Sequence, residues 1–183
     1  MTDTRPEKIK RFFQSFQDVF AFFYSAGRRS KRTQLFFFLS FIPVIITLVI
    51  KIYQLLNTDQ TMVPGSYLFN NLIMALYLQF LIIILALFYG TSICSEELEN
   101  KTLPYLLTRP VSKTSVILGK YAAFVTLEII MIGLGVFFSF LIMNLDRLTQ
   151  WPIYVTLGRD LGVLFLGIIC YSALFTFIGT FIK

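Results

Sequence analysis

The sequence predicts an all-α integral membrane protein, with an N-terminal interfacial amphipathic helix followed by four transmembrane helices. Three observations lead there. The 183 residues are 56% hydrophobic and only 14% charged, where a soluble domain carries roughly a quarter charged residues. Mean hydropathy is +0.74. The charges are also clustered, leaving long uncharged stretches of the kind that cross a hydrocarbon core of ~30 Å, and the basic residues gather on one side of those stretches.

Residues 1–34 form the N-terminal region; its start, Met1–Arg11, is polar and charged with no cleavable apolar core behind it, so insertion is expected to rely on the internal helices. Within this region Ile9, Phe12, Phe13, Phe16, Val19, Phe20 and Phe23 fall on one helical face of 9–24. Lys8, Lys10, Arg11, Gln14, Gln17 and Asp18 lie mostly elsewhere. Such a helix suits the membrane interface, its aromatics at the acyl boundary and its cations toward anionic headgroups. Packing of the same stripe on other protein is the alternative.

A basic run, Arg28, Arg29, Lys31 and Arg32, leads into the first predicted span, 35–56, in which Pro43 introduces a kink that neighbouring groups can satisfy. The second span covers 67–92, the third 121–143 and the fourth 161–182. Between the last two lies an amphipathic stretch, 144–160, with Trp151 and Tyr154 as interface anchors. Gly133 and Gly135 are candidate points of close helix contact.

Orientation follows from the cations. Eight of them precede span one, Lys101, Arg109, Lys113 and Lys120 lie between spans two and three, and Lys183 follows span four. Those thirteen face only Arg147, Arg159 and Lys51 on the other side. The bias places the N-terminus, the second loop and the C-terminus in the cytoplasm, as in a multi-pass protein of the cell (inner) membrane. It also accounts for the net charge of +6 without a nucleic-acid partner. Cys94 and Cys170 have no metal-type spacing, and a chain without histidine lacks the usual nitrogen ligands of zinc.

The segment between spans two and three, residues 93–120, has a texture that a tether would not need. Glu96, Glu97 and Glu99 open it, Leu103–Leu107 supplies a short apolar surface, and Arg109-Pro110 stops that element before a new helix begins. A short helix of this kind presents Leu106 and Leu107 to a groove and charges to its rim. The acidic triplet could bind a cation, but on a solvated loop a charged rim that guides a docking protein is the preferred reading.

The order Glu-rich start, Lys101-Thr102-Leu103, Leu106-Leu107-Thr108-Arg109-Pro110-Val111-Ser112-Lys113 and later Gly119-Lys120 resembles the cytoplasmic loop of ABC-2-type transporter permeases. The likeness is to the branch of the nitrous-oxide-reductase maturation and gliding-associated permeases. It implies that this loop holds a coupling helix seated in a cytosolic ABC ATPase subunit, with Glu96, Glu97, Glu99, Thr102, Leu106, Leu107, Arg109 and Pro110 as coupling residues. It also implies that 9–24 is the elbow helix, and that a second permease, identical or different, completes the membrane dimer. Family members usually have six spans, so the four here are expected to be part of a longer permease, continued beyond Lys183 in preference to being completed by another chain.

No Gly-x-x-x-x-Gly-Lys-Ser/Thr loop occurs, so ATP and Mg are expected on the partner ATPase, and no cofactor on this chain. Glu96-Glu97 has a superficial likeness to the Glu-Glu-x-x-x-Arg motif of CAAX-type membrane proteases, whose chemistry also needs histidines that are missing here. The expectation is therefore a transport subunit and no enzyme. A non-transporting anchor or mechanical transmitter for an ABC ATPase, and a plain membrane scaffold, remain the alternatives. Glu128, eight residues from Lys120 and so roughly 12 Å from the inner end of its span, is a candidate intramembrane polar site with Gln79 as partner. It either lines a conduit or serves as a protonated or hydrogen-bonded structural acid at the dimer interface.

Overall fold

The structure, a computed structural model, describes residues 5–56, 65–99, 113–145 and 149–181, with side chains over 12–56, 67–93, 114–145 and 149–179. The described residues are helical and contain four helices long and apolar enough to cross a membrane: Lys31–Leu56, Phe69–Ile93, Thr114–Met143 and Trp151–Gly179. These are spans one to four below. An additional helix, Arg5–Arg29, precedes them.

The helices of spans three and four start well before the hydrophobicity pattern places those spans. The third helix begins at Lys113, not at 121, because Ser115, Val116, Gly119 and Lys120 are buried and so belong to a packed turn instead of a solvated loop. The fourth begins at Trp151, not at 161. Pro152 is tolerated in its first turn, where backbone N–H groups have no helical acceptor in any case, and Tyr154 packs near Phe140 at 6.2 Å between ring centroids.

Span one kinks where proline requires it. Pro43 cannot donate to Leu39 and its ring crowds that carbonyl; the helix is interrupted at Phe41, whose N–H turns to Phe38 O at 3.1 Å. Thr47 Oγ donates to Pro43 O, closing its hydroxyl within the helix.

Span two owes its form to a stripe of large side chains at every fourth position: Phe69, Ile73, Tyr77, Leu81, Leu85, Tyr89 and Ile93, all buried. On a helix of 3.6 residues per turn such a stripe drifts by about 40° at each step. Two π-helical turns, Phe69–Ile73 and Tyr77–Leu81, intervene, in which Met74 N–H bonds Phe69 O and Ile82 N–H bonds Tyr77 O. With more residues per turn they rotate the stripe back, and it stays on one face for the length of the span.

Spans two and three form the interior, while one and four are more exposed on their outer faces. Small residues set the closest approaches, as expected where lipid removes the hydrophobic drive between helices. A Cβ at Gly90 would stand 2.8 Å from Phe175 Cβ and 2.9 Å from the Thr176 nitrogen, and one at Gly179 would stand 3.1 Å from Thr91 Cα. Spans two and four therefore touch backbone to backbone at one end. Farther along, Gly135 admits the Tyr77 hydroxyl, which lies 3.3 Å from both Ser40 O and Ser139 Oγ, and Ser40 Oγ donates to Met131 O at 3.0 Å. Spans one, two and three are pinned there by one polar cluster.

Candidate functional site: one end of the helix bundle

The chemistry gathers at the end of the bundle that carries the basic run. Helix Arg5–Arg29 packs against span three, with Val19, Phe23 and Gly27 on the contacting face. Gly119 allows the approach, since a Cβ there would meet Val19 at 2.8 Å and Phe16 O at 3.3 Å. Gly27 does the same against Leu127 and Phe124. Phe13 and Phe22 point outward, 59% and 65% exposed, and remain available to lipid. At Ser30 the backbone turns extended (φ −66°, ψ 134°) and Lys31 starts span one.

Beside Gly119 stands a buried cation. The ammonium of Lys120, 1% exposed, donates to Ile93 O at 3.0 Å and Ser92 O at 3.4 Å and sits 5.2 Å from the Phe23 ring centroid. It thus joins span three to span two through carbonyl dipoles and to the N-terminal helix through an aromatic face. Charge bias counts Lys120 simply as a cytoplasmic cation; the fold makes it the joint of three helices. No sequence signal beyond its place in Gly119-Lys120 distinguishes it from an exposed lysine.

The next layer holds Tyr89, whose hydroxyl donates to Thr33 Oγ at 2.9 Å and whose ring lies 5.2 Å from that of Phe124. Since Gly27 rests on Phe124 and Leu127 while Thr33 is bonded to Tyr89, the run Arg28, Arg29, Lys31 and Arg32 forms a collar at the level of Phe124. Glu128 follows Phe124 by one helical turn, ~6 Å along span three.

Glu128 is fully buried. Ser172 in span four donates its hydroxyl to Oε2 at 2.8 Å, and Oε1 is buried without a hydrogen-bond partner among the described residues. Gln79 is exposed, whereas the carboxyl of Glu128 is buried and bonded to Ser172. A serine on a different helix cannot be paired with a glutamate by spacing along the chain, which is why Ser172 was missed. Glu128→Gln is expected to stay within about 0.5 kcal/mol of the parent, because an amide oxygen still accepts the Ser172 proton. Glu128→Arg should abolish monodisperse, detergent-stable protein, as read by size-exclusion chromatography, by bringing an oversized cation to a site with one hydroxyl. Equal yields for the two variants would refute this account.

Of the loop residues, Glu96, Glu97 and Glu99 lie on a helix that continues span two to Glu99, although their side chains are outside the described set. Thr102, Leu106, Leu107, Arg109 and Pro110 lie outside the described residues altogether. The flanks of the 93–120 segment are thus helical extensions of spans two and three.

A family model described as "ABC-2 family transporter protein" matches residues 28–183. The chain belongs to the ABC-2 transporter family. The match opens at the collar and takes in all four spans of this multi-pass ABC-2 membrane protein, so most of the helix Arg5–Arg29 lies ahead of it. No curated protein and no solved structure matches this ABC-2 chain.

Proposed function

We propose that this chain is the permease subunit of an ATP-binding cassette transporter and moves its substrate when a separate cytosolic ATPase subunit, carrying ATP and Mg, works on residues 93–120. The observation that carries this reading is the pair of helical extensions beyond the collar, one reaching Glu99 and the other starting at Lys113. They bracket the intervening segment, and the Lys120 contacts couple their bases to three helices. A load applied there reaches Glu128 and Ser172 through span three without crossing a flexible joint.

In this reading the collar faces the cytoplasm of a cell (inner) membrane, and helix Arg5–Arg29 is the elbow helix. Two permeases pack together, identical or different. The exposed amide of Gln79 within span two supports that pairing, since polar side chains at membrane depth are best satisfied by another helix. Glu128 with Ser172 is the polar point of the transport path.

Reconstitution tests the proposal. Vesicles holding this protein and its ATPase partner should hydrolyse ATP faster than the ATPase alone, and faster again with transported substrate. ATPase recruitment without substrate dependence would instead mark a mechanical anchor, and no recruitment would leave a scaffold.

A further inference from the structure

A cleft of about 680 Å³ opens where the N-terminal helix meets spans one, two and three, within the roughly 300–1,000 Å³ typical of ligand-holding clefts. Its walls are chiefly aromatic, with Phe23, Phe36, Phe88 and Phe124 prominent, and Ser30 and Arg32 also line it. Two wall residues face outward from the bundle: Leu35 is 62% exposed and Phe88 55%. Arg28, Arg29 and Lys31 are exposed next to it in the chain.

We propose that this cleft binds one anionic phospholipid, an acyl chain entering between Leu35 and Phe88 to lie on the phenylalanines while the phosphate is held at Ser30 and the Arg28–Arg32 collar. The argument is one of complementarity. An apolar cleft with exposed apolar wall residues suits a hydrocarbon chain, and Arg32 in its lining with three further cations beside it in the chain suits a headgroup of negative charge. A soluble apolar ligand would leave the collar unused, and a free anion would leave the aromatic walls unused. Phe124 and Tyr89 line the cleft and also form the layer between Lys120 and Glu128. A lipid there would tie elbow-helix position to membrane composition, whatever ATPase the chain serves.

Tryptophan quenching by brominated lipid tests this on the full chain. Trp151 lies in a different helix from the cleft, so Trp151→Phe with Leu35→Trp leaves a single reporter at the entrance. In vesicles, brominated phosphatidylglycerol should quench it with an affinity on the order of tenfold above that of brominated phosphatidylcholine. Neutralising all four cations to glutamine should bring the ratio to about one while phosphatidylcholine quenching persists, which also shows insertion. Should that variant fail to insert, Arg29→Gln with Lys31→Gln should still cut the ratio at least about twofold.

Filling the cleft by Ala26→Phe, with every cation in place, should likewise remove the preference. A preference that survives filling means diffuse surface charge and overturns the proposal, as does equal quenching by the two lipids. Loss of the preference on adding inorganic phosphate would identify an ion site in place of a lipid site. Quenching by neither lipid would mean that protein, such as a second copy, covers the entrance; either result overturns the assignment.

Discussion

Gly90→Val is expected to lower the melting temperature of the purified protein by roughly 5–10 °C, given an overpacking cost of about 1–3 kcal/mol toward its upper end and a few degrees per kcal/mol for a chain of this size. Most oversized residues can be accommodated when the obstacle is the tip of a flexible side chain. Here it is backbone: the Thr176 nitrogen at 2.9 Å and the Phe175 carbonyl carbon at 3.0 Å from the new Cβ. Span four must move away as a unit, and the Gly179 contact with Thr91 goes with it. Gly158→Ala and Gly162→Ala are the controls, since neither Cβ would meet any atom within 4 Å. Those two changes should leave the melting temperature unchanged or raise it, because alanine is the better helix former by about 1 kcal/mol. A Gly90→Val protein as stable as the parent would show that spans two and four are not held backbone to backbone.

Arg109→Glu is expected to reduce stimulation of the partner ATPase by about tenfold or more while membrane insertion stays intact, and Leu106→Ala with Leu107→Ala should do the same. Anchors that fill a groove, and charges at its rim, commonly cost 2 kcal/mol or more when trimmed or reversed, and about 1.4 kcal/mol is a factor of ten. All three fall in the sequence between the predicted spans 67–92 and 121–143, so their replacement leaves the hydrophobic segments that direct insertion untouched. The assay is ATP turnover in vesicles together with co-purification of the ATPase. Unaltered stimulation and co-purification in both variants would remove the 93–120 segment from the coupling path. The pair of variants also separates two contributions: a stronger effect of the double alanine would assign the contact to apolar burial, and a stronger effect of the charge reversal would assign it to the rim.

The two predictions differ in how they could be found. Residues 93–120 announce themselves in one dimension, because acidic, apolar and Arg-Pro stretches follow one another within a single loop, and local texture needs no fold to be seen. Gly90 does not. Its environment is set by Phe175 and Thr176, more than eighty residues away, and a lone glycine in an apolar span looks like any other. The same holds for the stripe of span two. The four-residue repeat from Phe69 to Ile93 is visible in the sequence once the π-helical turns are known, but on a regular helix it would wind round the axis and predict no single face.

Length, apolarity and charge bias by themselves determined that this is an all-helical membrane protein with four spans, and the loop motif pointed to the ABC-2 family. Those properties are local or additive: a segment partitions into lipid according to its own composition, whatever its neighbours. Which face of each helix meets which other, the burial of Lys120 as a joint, the hydrogen bond of Ser172 to Glu128, and the packing of helix Arg5–Arg29 on span three were decided only by tertiary structure. The reason is that lipid rewards every apolar face alike. Partner choice then falls to close backbone approach at small residues and to a few satisfied polar groups, and both are relations between distant parts of the chain.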